Sequence, residues 1–148
     1  MIRNMTIEDY DAVNALWHRI KGFVLRSIDD SKEGIERFIK RNPTTCVVAV
    51  ENDKIVGSIL CGHDGRKGCM YHVCVDPDYR RKGIGKEMVS FALSKLHEEK
   101  INDVSIVAFS ENEVGNRFWN SLGWEMQSNL NSYEIRTNAE NMRTINEN

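Results

Sequence analysis

Val73-Cys74-Val75-Asp76-Pro77-Asp78-Tyr79-Arg80-Arg81-Lys82-Gly83-Ile84-Gly85-Lys86 decides how the rest of this chain is read. A β-branched run ends at Asp76-Pro77-Asp78, a turn with two closely spaced glycines follows, and a helical pattern opens at about Gly85. Glycines at such a turn admit positive φ and let successive backbone N–H groups converge on a ligand. The helix start adds unpaired donors and partial positive charge. Arg80, Arg81, Lys82 and Lys86 place four cations within seven residues. Together these features describe a cradle for phosphate or pyrophosphate. Taken singly, each has a plainer use: a glycine pair as a tight turn, four cations as a solvated face.

The remaining charge is spread. Twenty Lys+Arg against 22 Asp+Glu leave a net charge of −2 over 148 residues. A field that weak draws the chain neither to nucleic acid nor to an anionic membrane, so any anion site must be local. The length suits one domain, burying roughly 68–70% of its unfolded surface. No apolar run approaches the roughly 18 residues of a membrane span. Cys46, Cys61, Cys69 and Cys74 form no Cys-x-x-Cys pair, and His63 and His72 complete no zinc spacing, so free buried thiols and no metal are expected. The charged N-terminus, with Arg3, Glu8, Asp9 and Asp11, does not read as a signal peptide. A cytoplasmic setting is the default.

Working outward from the turn, Cys69 to Val75 reads as a strand, preceded by strands over Cys46–Val50 and Lys54–Leu60 with hairpin signals at Asn52-Asp53 and Asp64 to Gly68. Before them, a short first strand leads to Thr6-x-x-Asp9, a capping box. Apolar positions at Ile7, Tyr10, Val13, Leu16, Trp17 and Ile20 then mark one helix face. A polar stretch from Arg26 to Asp30 enters a second helix holding Ile35, Phe38 and Ile39, stopped by Asn42-Pro43. After the turn come a helix to about Lys100, a strand over Val104–Phe109, and a helix over Asn112–Leu122 ended by Gly123. Trp124 to Arg136 reads as a last strand or hairpin, and Thr137 to Asn148 as a frayed polar tail. This order defines an α/β fold with a mixed sheet, antiparallel hairpins first and then a crossover that permits a parallel pair.

Which phosphate ligand the turn takes is narrowed by what it lacks. The nucleotide P-loop needs Gly where Arg80 stands and Ser or Thr where Glu87 stands; the dinucleotide fingerprint needs Gly at Met88. Arg80, Gly83 and Gly85 do meet the Arg/Gln-x-x-Gly-x-Gly/Ala pattern of the GNAT superfamily of acetyl-CoA-dependent N-acetyltransferases. A second block, Asn112-Glu113-Val114-Gly115-Asn116-Arg117-Phe118-Trp119-Asn120-Ser121-Leu122-Gly123-Trp124, resembles that superfamily's Asn-x-x-Ala-x-x-Leu-Tyr-x-x-x-Gly-Phe segment. The resemblance spans residues 1 to about 136, one acetyltransferase-like domain, and leaves 137–148 as the tail.

The resemblance implies a mostly antiparallel sheet flanked by helices, with a V-shaped opening between two central parallel strands. Acetyl-CoA as co-substrate would lie in it, its pyrophosphate held by backbone N–H groups of Arg81, Lys82, Gly83, Ile84, Gly85 and Lys86 beside the Arg80 side chain. Backbone of Val73 and Val75 would pair with the pantetheine and polarise the thioester carbonyl. Asn112 would touch the pantetheine arm, unless it serves only as a helix cap. An acceptor amine would attack directly, without a covalent enzyme intermediate.

One departure stands out. The superfamily's second block carries a Tyr that protonates the leaving thiolate, and this chain has Trp119, whose indole donates a hydrogen bond but no proton. Trp119 is then expected to pack against the pantetheine. Tyr133 is the acid candidate named from residue type, with Tyr71 and Tyr79 as others. His72 is the general-base candidate because imidazole titrates near neutrality, with Asp64, Glu111 and a water chain as others; the alternative for His72 is a core or surface histidine on the far sheet face. For the acceptor, Arg26 could hold a carboxylate and Asp29 or Asp30 could attract an ammonium, or Arg26 and the two aspartates pair with each other or cap the second helix. A single domain leaves none to grip a macromolecule, which favours a small-molecule amine. A protein amine, and a catalytically weak CoA-binding sensor or interaction module, are the alternatives. A homodimer through the last strands is open.

Overall fold

Hydrophobic period sets the architecture of the computed structural model, which describes residues 1–147. The strands are β1 Ile2–Asn4, β2 Val24–Arg26, β3 Val47–Glu51, β4 Lys54–His63, β5 Lys67–Val75, β6 Asp103–Ile106 and β7 Arg143–Ile145. The helices are α1 Tyr10–Arg19, α2 Lys32–Arg41, α3 Ile84–Glu98 and α4 Glu113–Ser121, with single 3₁₀ turns at Ile7–Asp9 and Pro77–Tyr79. Five strands form one sheet in the order β1-β3-β4-β5-β6, antiparallel except for the β5–β6 pair. This is the mixed α/β sheet expected from the element order.

Strand β4 is buried continuously from Val56 to Gly62, because helices cover both sheet faces. On one face α3 packs Ile84, Met88, Val89, Ala92 and Leu96 against Val47, Val56, Ile59 and Met70, with Phe118 and Trp119 of α4 beside them. On the other, α1 packs Val13, Leu16 and Trp17, with Ile35 of α2, against Val48, Leu60 and Cys74. Trp17 is fully buried, and its indole N–H donates to Ser58 Oγ at 3.0 Å. Truncating such a residue costs about 3–5 kcal/mol, most of it lost packing.

Two sequence expectations fail at the C-terminus. Residues 124–136 form no strand, and Met126, Leu130, Tyr133 and Ile135 stand at least 65% exposed. Among the described residues, the stretch called a frayed tail is instead tied down: Arg143–Ile145 pairs antiparallel with β2. Asn146 adds two bonds from Nδ2, to the carbonyls of Trp17 at 2.7 Å and Ile20 at 3.1 Å, so it occupies acceptors that α1 leaves open at its end. Strand β2 was not anticipated either. Three residues long, it carries no period of its own and exists because β7 supplies its partner.

Candidate active site

Strand β5 does two things at once. Along one edge it pairs with β4 as far as Gly57↔Val75. Along the other it pairs with β6 only from Lys67↔Asp103 to Met70↔Ile106. Beyond Met70 the two parallel strands part, and the β5 edge from Tyr71 to Val75 has no strand beside it. This is a V between the last two strands of the sheet rather than between two central ones, because β6 is the edge strand, and it leaves backbone donors and acceptors open along one side of β5.

At the wide end of the V, β5 runs into the basic turn. Asp76 anchors that turn: its Oδ1 accepts from Asp78 N–H at 3.0 Å, and its Oδ2 meets Arg19 at 3.0 Å and Lys54 at 3.7 Å. Burial pushes the Asp76 pKa up, but the Asp78 N–H and the two cations outweigh it and hold it below the ordinary value of 3.8. Arg80 folds back, donating from Nε to Val75 O at 3.2 Å. Arg81 at φ +66° and Gly83 at φ +79° bend the chain, and Gly83 caps α3. The first α3 bond formed runs from Glu87 N–H to Gly83 O, which leaves the N–H groups of Ile84, Gly85 and Lys86 without helical partners. Arg81, Lys82 and Lys86 are exposed around them.

The two glycines have different jobs. Gly83 is required for its positive φ, and open space surrounds the place a Cβ would occupy. Gly85 is required for packing: a Cβ there would sit 3.1 Å from the Phe118 ring, the contact that seats α4 on α3. Asn112 caps α4, accepting from Gly115 N–H at 2.9 Å, so the capping role is filled. Asn116 donates to the Phe109 and Asn112 carbonyls and pins the loop between β6 and α4. Trp119 packs edge-on to Phe118 with centroids 5.0 Å apart, and against Trp124 at 4.7 Å. Val73 and Val75 pack on the α3 face.

His72 is placed by an irregularity that simple alternation hides. Ser58 faces Cys74 and Leu60 faces Tyr71, so His72 and Val73 together oppose Ile59. This bulge, with His72 at φ +52°, turns two successive residues to the same face. Tyr71 meets Phe38 of α2 at 6.0 Å, and His72 packs against the stacked pair Trp17 and Phe23, each ring centroid 4.8 Å away. The histidine is therefore on the α1 face, opposite α3. Its Nε2 lies 2.7 Å from Asp30 Oδ1. Residue type pointed to His72 and charge to Asp30, but nothing local paired the two, which are 42 positions apart in sequence.

The other acceptor-side candidates meet the C-terminal segment. Arg26 pairs with Glu134 at 3.5 Å, and Asp29 Oδ2 accepts from Asn141 Nδ2 at 2.8 Å. Arg26 N–H does bond Asp30 Oδ2, as pairing among these residues would have it, while the Arg26 guanidinium and the Asp29 carboxylate turn to partners more than a hundred residues distant. Capping of α2 falls to Ser31, which accepts from Gly34 N–H. Arg26 and Asp29 line a polar cavity of about 290 Å³ together with Glu134, Arg136 and Asn141. Tyr133 stands 90% exposed and is not gathered with the residues around Trp119. Tyr71 holds its proton tightly: its bond with Cys69 and partial burial push its pKa to about 12. All four cysteines are free, and burial raises Cys46 and Cys74 to about 11 and Cys61 to about 12. No cluster of potential metal ligands occurs among the described residues.

A sheet split between parallel strands, with open N–H groups and cations where one strand enters a helix, is the arrangement that the resemblance implies. The sequence matches the acetyltransferase (GNAT) family over residues 10–124, and the chain belongs to that family. It is 31% identical over 129 residues to an acetyltransferase of Sodalis glossinidius, covering 87% of this chain and 89% of the relative. An acetyltransferase of Pectobacterium atrosepticum is 32% identical over 124 residues, covering 84% and 86%. Among solved structures, PaiA N-acetyltransferase from Thermoplasma acidophilum in complex with coenzyme A superposes with a TM-score of 0.74. The two are 19% identical, over 86% of this chain and 90% of that one. The chain is an acyltransferase of this fold.

Proposed function

We propose that this enzyme moves the acetyl group of acetyl-CoA to a primary amine of a small molecule by direct attack. The observation that carries the reading is the parting of β5 from β6 beyond Met70, directly beside the open N–H groups that begin α3.

The chain's own residues fit such a co-substrate. N–H groups of Ile84, Gly85 and Lys86 converge at the helix start, with Arg81, Lys82 and Lys86 around them to take a pyrophosphate. The open edge from Tyr71 to Val75 offers strand-like pairing to an extended amide-bearing arm. Bound there, acetyl-CoA supplies an activated acetyl thioester. Nearby N–H groups of that edge are suited to stabilise negative charge on its carbonyl oxygen. Asn112 has its carboxamide oxygen committed to capping and its amide nitrogen left for the arm.

Proton handling belongs to the other face. His72 has one ring nitrogen on Asp30 and the other without a partner, on the side reached from α1 and α2, and it takes a proton from the incoming ammonium. Direct attack is supported by the buried thiols of Cys46, Cys61 and Cys74, which burial raises rather than activates. The polar cavity at Arg26 and Asp29, with both signs of charge on its walls, is small enough to favour a metabolite-sized amine. Trp119 supplies no proton, so the thiolate leaves by taking one from the reacting nitrogen or from solvent; a thiol's ordinary value near 8.5 makes this a modest loss.

Thermal melts give the first test. Acetyl-CoA is expected to raise the melting temperature and ATP is not, because a ligand of the native state stabilises it by mass action. Release of free thiol over a panel of primary amines then follows, with no release from any amine contradicting the reading.

A further inference from the structure

We propose that Asp30 is a positioning residue. It fixes His72 with the ring proton on Nε2, leaving the Nδ1 lone pair to receive the proton of the acceptor amine. The catalytic half of this proposal rests on the acetyltransferase reading above; the tautomer half does not.

The Asp30 carboxylate is held at both oxygens. Oδ1 lies 2.7 Å from His72 Nε2, and Oδ2 accepts from Arg26 N–H at 2.7 Å. The backbone is pinned as well: Asp30 N–H donates to Arg26 O at 3.0 Å, and Asp30 O accepts from the Tyr10 hydroxyl at 2.7 Å. With its side chain 8% exposed, the group has no room to turn. An ionised carboxylate only accepts, so Nε2 must be the donor and carry the proton. In the neutral ring the lone pair is then on Nδ1. That nitrogen bonds to none of the described residues. Since no partnerless side-chain nitrogen among them is fully sealed from solvent, Nδ1 keeps some exposure, and the His72 side chain is 18% exposed.

The ring is packed on one side by Trp17 and Phe23, which stack on each other 6.0 Å apart and each lie 4.8 Å from it, and Trp17 is itself held by Ser58. The bulge fixes the backbone beneath it. A left-handed φ on a non-glycine residue costs about 1–2 kcal/mol, and packing on the α1 face is what sustains it here.

The transfer step balances as follows. The acceptor ammonium gives one proton to Nδ1, and the freed lone pair forms the new N–C bond while the C–S bond breaks. The second proton leaves that nitrogen for the departing sulfur, yielding amide and free thiol. The imidazolium, stabilised by Asp30, returns its proton to solvent.

Asp30→Asn makes a sharp test because the two oxygens are not equivalent. Arg26 N–H demands an acceptor at the Oδ2 position, so the amide NH₂ must fall at the Oδ1 position, facing Nε2. Nε2 would then have to accept, and the ring proton would move to Nδ1. Nitrogen-15 spectra of imidazole-labelled protein, recorded where the ring is neutral, read this directly. Wild-type protein is expected to show the Nε2–H form and Asp30→Asn the Nδ1–H form. In thiol-release assays with the best amine of the panel, kcat should fall about 100-fold, the scale of lost general-base catalysis. The Kd for acetyl-CoA should stay within about twofold.

A wild-type ring protonated on Nδ1 overturns the proposal without needing any variant. So does an Asp30→Asn enzyme whose tautomer flips while kcat stays within about threefold. Protein that binds acetyl-CoA but releases no thiol with any amine instead contradicts the acetyltransferase reading, while the tautomer spectra still decide what Asp30 does.

Discussion

The two faces of the sheet around β5 are built by different rules. On the α3 face, the cradle comes from one continuous stretch, Asp76 to Lys86. Its bends are Arg81 and Gly83 in positive φ, its donors are the first turn of a 15-residue helix, and its cations are neighbours in sequence. On the α1 face, the His72 site is assembled from α1, the β2–α2 loop and a bulge in β5. The first is a local structure that carries its ligand logic in its own residues. The second exists only when remote segments dock. Phosphate recognition can thus be fixed while the acceptor side is free to change by altering what docks there.

This division predicts effects that separate binding from turnover. The largest is expected for His72→Ala. Turnover with an amine should fall by about 100-fold or more, as loss of a general base does, while acetyl-CoA titrates with unchanged affinity. Parallel loss of affinity would place His72 in the cradle and merge the two faces. Gly83→Val should do the reverse. Its φ of +79° suits no β-branched residue, so the turn must reshape, and acetyl-CoA affinity should drop about tenfold by calorimetry, or about 1.4 kcal/mol. Turnover at saturating acetyl-CoA should change far less.

Acid should loosen the cradle by way of Asp76. Its folded-state pKa lies below its unfolded value, so its contribution is complete above the unfolded value of 3.8 and is lost as pH falls through the folded one. Melting temperatures in Asp76→Asn, compared with wild type, should show a deficit at neutral pH that shrinks below about pH 4. An equal deficit at every pH would remove the carboxylate from the account. Trp119→Phe should matter least. The ring is already placed by Phe118 and Trp124, and turnover should stay within about threefold. A collapse of turnover with acetyl-CoA affinity intact would give the indole a chemical role.

Legibility in the sequence follows the same division. The helices and the main strands declare themselves by period, and the cradle declares itself by glycine spacing and charge. Where a residue's partner is near in sequence, as Gly115 is to Asn112, its role is readable. The α1 face is less so. The bulge opposite Ile59 breaks the alternation that would put Tyr71 and His72 on opposite sides, and no local spacing announces it. Asp30 looks like one more polar loop residue until the fold brings His72 to it. The tail reads as frayed because Arg143–Ile145 is exposed and short, and its pairing with β2 is a tertiary fact. Arg26 and Asp29 stand out by charge, yet their partners Glu134 and Asn141 are more than a hundred residues away.

Amide chemical-shift mapping on titration with coenzyme A tests the central claim most directly. The account expects the large perturbations in Arg81 to Lys86 and along Tyr71 to Val75, with Asp30 and the α1 residues little moved. Perturbations centred on the α1 face or the Arg26 cavity, with Ile84 to Lys86 silent, would contradict it.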